Sequence, residues 1–423
     1  MFFQSFSVYF SKRSVEFSIF LLFRFPYNES ALGNQSSRRI STKQDKKGET
    51  YLMKKIIPLL SLALLCGTAT GCGNNNATEW TWENAIADGS LDYVILVGED
   101  GNPEAEDRTK GCIDALNAIA EEGGFKANKL EQFTCTNESG SWNDAVAKTQ
   151  VETWTKKYKG KLDFIVSNND GMAIAASSAS GLLKNTPIVG FDALSTACDM
   201  IKAGTLAGSV SQNGDDQALA TAKVLASMIK GESTVIDANY GGKANLNLTQ
   251  LDKHIIQTEF AAVTAQNADS LKPGAYVNVS EDSAVKGKKL LIATYSANDN
   301  FIKETYAAAL PHYAKALGFD VTLISGDGVD DTKLQEAVDS AMQSNTYDAF
   351  AFNIITHANW EAYETKAAGK PVVFFNRQPK TSDNKGVADL STVSNTYFVG
   401  SGSEGQGIAQ GQIIKDWYHA LKK

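Results

Sequence analysis

One strict motif in this 423-residue chain has the spacing of redox chemistry. Gly400, Gly402 and Gly405 form a GxGxxG between a strand pattern and a helix pattern, the arrangement that cradles a dinucleotide pyrophosphate. That fingerprint also needs a further strand carrying an acidic residue about 20 positions on, to hold the ribose. Only 18 residues follow Gly405, so the glycines read as a tight strand-to-helix turn. The four histidines, at 254, 312, 357 and 419, have no metal-like or triad-like spacing with Cys, Asp or Ser. His357, just beyond a strand pattern, reads as a rim histidine. No P-loop, HExxH or CxxC occurs, and the acidic pairs Asp215/Asp216 and Asp330/Asp331 fall at helix starts, where the dipole favours them. No reaction assembles from these groups, and no cofactor or metal is implied.

The remaining candidates are planar polar side chains and aromatics placed after strand patterns. A pyranose presents hydroxyls around its edge and C–H patches on its faces. Carboxylates, amides and guanidinium satisfy the edge, and aromatic rings cover the faces. A hydroxyl bonded to an ionised group contributes about 1.5–3 kcal/mol.

The elements that must position such groups alternate between strand and helix. Strand patterns at 92–97, 162–166, 187–191 and 206–210 are separated by helical patterns at 105–122, 143–158, 172–183 and 196–203. A second series has strands at 290–294, 321–325, 349–352, 372–375 and 397–399, helices at 301–317, 333–344 and 360–368, and a last helix at 405–421. Near-continuous apolar strands alternating with helices predict α/β folding: two doubly wound parallel-sheet lobes joined by a hinge, with a ligand between them. Asn213, with Asp216 three residues on, predicts a capped helix start; one strand is expected over 255–263.

The stretch KKLLIATYSANDNF, residues 288–301, resembles the first-lobe site of the galactose/glucose-binding proteins that serve bacterial ABC importers, as does PVVFFNRQP at 371–379. GEDGNPEAEDRT at 98–109, VSNNDGMAIAA at 166–176 and GFDALSTA at 190–197 resemble that family's other lobe. The resemblance implies sugar contacts from Tyr295, Asp299 and Asn376, with Phe301 on one face of the ring. It also implies Glu104, Arg108, Asn169 and Asp192 around the ring edge, with Trp142, after a cap at Ser141, on the opposite face. Asn102, Glu104 and Gln212 stand where the family usually has His, Asp and Asn, which alters hydroxyl selectivity. Residues 84–90, the counterpart of the family's calcium loop, place Ile86 where a ligand oxygen belongs, so no metal is expected there.

In that family the segment resembling residues 288–301 lies at the mature N-terminus, so the resemblance implies a circular permutation. The expected layout is a first lobe at 79–212 plus 400–423 and a second lobe at 213–399. The last helix should then pack on the first lobe through Ile408, Ile413, Ile414, Trp417 and Leu421, and the helix after Asn213 on the second.

From Met53, two lysines, an apolar run and ATGC at 69–72 read as a lipoprotein signal peptide acylated on Cys72. Residues 1–52 read as translated upstream DNA, because KKGE at 46–49 requires purine-rich codons just before Met53. The first 72 residues hold ten basic and four acidic side chains, which leaves −14 on the remainder. That charge disfavours nucleic acid. Cys112, Cys135 and Cys198 permit at most one disulfide, with buried small hydrophobes as the default. The expectation is a monomeric binding protein held to a membrane in the periplasm or at the cell surface by lipid on Cys72. It would deliver glucose, or else galactose, to an ABC permease. A receptor for a ribose-like ligand is the alternative, followed by an exported carbohydrate-active or NAD-linked enzyme.

Overall fold

The computed structural model describes residues 78–422, apart from 234 and 237–239. Cys72, the signal segment 53–72 and residues 1–52 lie outside the described residues.

The first part of the chain builds α1 (Trp82–Ala85), β1 (Ser90–Val97), α2 (Pro103–Gly123), β2 (Lys126–Thr134), α3 (Asp144–Tyr158), β3 (Phe164–Ser167), α4 (Asp170–Ser177), β4 (Ile188–Val189), α5 (Ser195–Lys202) and β5 (Ser209–Ser211). The sheet runs β2-β1-β3-β4, all parallel, and a parallel bridge from Val189 to Gly208 continues it towards β5. β1 is buried from Leu91 onward, as its apolar run from Tyr93 to Val97 requires. β2 carries no such run and was not expected. It is an edge strand with its side chains largely in water, and its register against β1 shifts at Tyr93/Val94. α2 begins with Asn102 as cap and Pro103 in its first turn, and stops at Gly124 in the left-handed region.

The chain continues through α6 (Gly214–Lys230), β6 (Leu246–Asn247), β7 (Ile255–Thr258), β8 (Ala261–Val263), α7 (Ala268–Leu271), β9 (Lys289–Thr294), α8 (Asn300–Glu304), α9 (Tyr306–Leu317), β10 (Asp320–Ser325), α10 (Asp331–Ser344), β11 (Ala349–Phe352), α11 (Trp360–Ala367), β12 (Val372–Phe375), β13 (Thr396–Gly400) and α12 (Gln406–Leu421). The second sheet has the order β10-β9-β11-β12-β13-β7-β6, parallel except for β6.

The expected strand at 255–263 is two strands in different sheets. β7 pairs with β13, whereas β8 pairs antiparallel with β5, and α7 packs on α5. Residues 261–271 therefore join the first lobe, although the pattern placed them in the second; a two-residue crossing at Glu259–Phe260 leaves the apolar alternation uninterrupted. The helix expected at 301–317 breaks at Thr305, whose hydroxyl donates back to the Phe301 carbonyl oxygen at 2.5 Å. Asn213 adopts φ 55 and caps nothing; its amide instead donates to Glu259 O at 2.7 Å, while Asp216 accepts from Lys243 N and Ala244 N.

α6 lies against α9, β11, β12, β13 and β7, while α12 lies against α2, β4, β5 and β8. The α2/α12 contact depends on two glycines. A Cβ on Gly407 would stand 1.9 Å from Asp107 O, and Gly111 faces the Gly407 backbone as closely. Ile413, Ile414 and Tyr418 are buried there, but Ile408 is 78% exposed and Leu421 41%, so these two leave the expected apolar face. Trp80 and Trp82 pack on Trp417, tying the start of the described chain to its end. Cys112, Cys135 and Cys198 are free and buried.

The three glycines of the GxGxxG lie where the chain leaves β13 in one lobe and enters α12 on the other. β13 and α12 pack on different sheets, so these glycines are not the turn of a βαβ unit.

Candidate functional site

Three crossings between the lobes, at Gln212–Gly214, Glu259–Phe260 and Ser401–Gln406, are laced together around Gln212. Its carbonyl oxygen accepts from Gln217 Nε2 (2.6 Å) and Thr258 Oγ1 (3.0 Å). Its side chain accepts from Ser401 Oγ (2.8 Å) and donates to Asp192 Oδ1 (2.7 Å). Both ends of the Gln212 amide are thus occupied by protein.

Above these crossings one cleft of about 410 Å³, open mouth included, is lined by Asn102, Glu104, Arg108, Trp142, Asn169, Asp192, Gln212, Tyr295, Asp299, Phe301 and Asn376. All eleven residues picked from the sequence meet there. Ile302 and Arg377 complete the lining.

On the first-lobe wall, Arg108 is held from every side. Its Nε donates to Gln406 Oε1 (2.6 Å), Nη1 donates to Asn168 O (2.7 Å), and the guanidinium covers the Phe191 ring at 3.7 Å. Asp192 lies 3.9 Å away. Burial pushes the Asp192 carboxyl well above its usual range, and Arg108 pulls it back. Glu104 is buried and its Oε1 has no partner in the protein. Asn102 spends its oxygen capping α2, through Glu104 N and Ala105 N, and its amide on Glu99 Oε2.

The second-lobe wall is built from caps and turns. Asp299 Oδ1 accepts from Ile302 N as the cap of α8, and Oδ2 accepts from Tyr295 OH at 2.6 Å. Asn376 Oδ1 accepts from Asn353 Nδ2 at 3.1 Å. Arg377 covers the Tyr295 ring at 3.9 Å, and burial together with Asp299 raises the Tyr295 phenol well above its ordinary value.

Three of the eleven residues have left-handed backbone: Trp142 at φ 58, Asp192 at φ 120 and Asn376 at φ 62. Such conformations cost about 1–3 kcal/mol for a non-glycine residue and persist where the surroundings impose them. Trp142 is not a residue behind a Ser141 cap; Asn143 caps α3, and Trp142 precedes it with its indole over Gly98, where a Cβ would come within 2.0 Å. Asn169 does cap α4, by accepting from Met172 N.

Glu99, Arg377 and His357 escaped the sequence reading as site residues. Glu99 Oε2 accepts from Asn102 Nδ2 (3.0 Å), Trp142 Nε1 (3.2 Å) and, across the cleft, Arg377 Nη2 (3.3 Å). The position of Arg377 beside Asn376, just past a strand end, was the available signal. His357 is not on the rim: it is buried under the cleft, 3.6 Å from Glu104. Two further contacts join the lobes, Asn300 Nδ2 to Asp144 Oδ2 (3.0 Å) and Ser195 N to Glu304 Oε2 (2.9 Å). The arrangement can enclose a small polar ligand with carboxylates, amides and guanidinium at its edge.

Residues 77–233 match a family model described as a periplasmic binding protein domain, and residues 287–359 match a second model of the same description. The chain is 36% identical over 166 residues to the D-galactose/methyl-galactoside binding periplasmic protein MglB of Haemophilus influenzae, a stretch covering 38% of this chain and 47% of that one. It is 28% identical over 154 residues to a xylitol-binding protein of Mycolicibacterium smegmatis, covering 36% and 41%. The matched stretches span less than half the length of these relatives. Among solved structures, an ABC transporter solute-binding protein from Agrobacterium vitis with bound D-fucose aligns with a TM-score of 0.48 at 12% identity, over 78% of this chain and 89% of that one. GanP, a glucose-galactose binding protein from Geobacillus stearothermophilus, aligns with a TM-score of 0.46 at 11% identity, over 78% and 91%.

Proposed function

We propose, from the premise that this chain belongs to the periplasmic binding proteins, that it captures one monosaccharide, glucose first and galactose second, between its two lobes. The observation that carries this reading is the convergence of eleven side chains from both lobes on one cleft of sugar-site chemistry. Glu104 Oε1 and the buried Asp192 carboxylate offer acceptors to ring hydroxyls, and Trp142 and Phe301 offer apolar faces. The family is one of binding proteins.

In this reading the protein is a monomer anchored through lipid on Cys72, and it hands its sugar to an ABC permease. The domain order is a circular permutation. Its support is the pair of helices that change lobes, α6 after the first sheet and α12 after the second, with residues 272–288 joining what would otherwise be chain ends. The test is titration calorimetry of the purified protein with glucose, galactose, ribose, arabinose and xylitol. Saturable, one-to-one heat with a hexose is expected. Binding of ribose or xylitol with no response to either hexose would replace the hexose assignment, and turnover of any sugar would replace the receptor reading with an enzyme.

A further inference from the structure

His357 follows β11 on the second lobe, and the residue is only 5% exposed. Nδ1 lies 2.8 Å from Gln378 O. A carbonyl oxygen can only accept, so Nδ1 carries a hydrogen and Nε2 of the neutral ring is an acceptor. Nε2 lies 3.6 Å from Glu104 Oε2 on the opposite lobe, and neither Nε2 nor Glu104 Oε1 has a partner in the protein. Two acceptors thus face each other in a buried seam, a conflict that one proton relieves. Glu104 lines the ligand cleft and His357 does not, so His357 can act on a ligand only through Glu104.

The other charges around the seam are few. Glu99 faces the ring from the first lobe and Arg377 from the second, while Arg108 adjoins Glu104. Lys380 donates its backbone N–H to His357 O but sends its ammonium to Ser403 Oγ at 2.8 Å.

We propose that His357 is a positioning residue for Glu104: lobe closure draws one proton from solvent into the seam between Nε2 and Oε2, and that proton orients the carboxylate towards the ligand. The proposal rests on the monosaccharide reading above. Closure that takes up a proton makes binding stronger at lower pH. Burial acts in the opposite sense and pushes the imidazole below its ordinary value; Glu104 raises it, Arg377 lowers it further, the Gln378 carbonyl and Glu99 raise it, and at the present 3.6 Å separation the balance stays below the ordinary value. A seam ruled by burial would release a proton on closing and bind better at high pH. The sign of the pH dependence therefore decides.

Calorimetry with D-glucose and D-galactose should run from about pH 6 to about pH 8.5, above the ordinary imidazole value near 6.5 for most of its span. Wild-type affinity is expected to fall with rising pH, by at most about tenfold per unit for one proton. His357→Gln supplies an N–H that does not titrate, so this slope should vanish in it. Glu104→Gln should lose the slope as well, with weaker binding throughout. A wild-type affinity that is flat or rises with pH, or a slope that survives His357→Gln, overturns the proposal. Wild type that binds no monosaccharide at any pH removes the sugar reading instead. The seam is then judged on histidine ¹⁵N shifts of the full chain: a His357 titration moved to lower pH by Glu104→Gln supports it, and one that stays put overturns it.

Discussion

The two walls of the cleft are made by different means. The first-lobe wall is a buried ionic network in which Arg108 is bonded to α12 through Gln406, to the backbone after β3, and to the Phe191 face. The second-lobe wall is a set of caps and turns, with Asp299 on α8, Asn376 at positive φ, and Tyr295 leaning on Asp299. A network of buried charges cannot lose one member without leaving others unpaired. A capping carboxylate can lose its charge and still cap. The first wall should therefore couple binding to folding, and the second should affect binding almost alone.

Arg108→Ala breaks or confirms that contrast most directly. It should lower unfolding free energy by about 3–5 kcal/mol in denaturant titrations, because Asp192 loses its counter-charge and Gln406 Oε1 and Asn168 O lose their donor in a buried site. A loss below about 1 kcal/mol would put the first wall on the same footing as the second. On the other side, Asp299→Asn keeps an oxygen for Ile302 N but removes the charge. It should weaken hexose binding by about 1.5–3 kcal/mol in calorimetry, with stability changed by less than about 0.5 kcal/mol. Equal losses in stability and binding would erase the distinction.

Gly407→Ala tests whether the first wall stands on the last helix. A Cβ there meets the α2 backbone, so α2 and α12 must separate. The expected cost is about 1–3 kcal/mol. Hydrogen exchange should accelerate in β1 and β3 before β9 and β11; uniform acceleration would mean that α12 braces both lobes.

The smallest effect concerns the mouth, where the walls face each other. Burial first, and Asp299 of the other lobe second, push the Asp144 carboxyl up to about 6. Its value in the closed state is raised above the ordinary one, so closure is favoured while the group stays protonated and loses that advantage as pH rises from about 4 to about 6. Asp144→Asn can still accept from Asn300 and should remove that acid-side slope from the sugar affinity. Because the group is partly exposed, the gain above pH 6 should stay below about 1 kcal/mol. An unchanged slope would show that the two carboxylates do not sense each other.

What could be read from the chain was whatever rests on local chemistry. Unbroken apolar runs such as 93–97 and 290–293 can be stable only inside a covered parallel sheet, so the chain itself determines the α/β class. Strand ends, where open α/β sheets place ligands, marked where a cleft belongs, and the resemblance to the galactose/glucose-binding proteins supplied its residues. β2 was not, because an edge strand with its side chains in water needs no apolar pattern. The break between β7 and β8 was not, because a two-residue crossing preserves alternation while the partners change sheets. Asn213 has the residue type of a helix cap, yet its left-handed backbone and its bond to Glu259 O arise from the neighbouring crossing. Residue type and spacing decided which side chains could serve a polar ligand. Only tertiary structure decided that Gln212 is spent on the hinge, that Glu99 reaches Arg377 across the cleft, and that His357 faces Glu104, because each of these depends on which groups from distant segments share a buried seam.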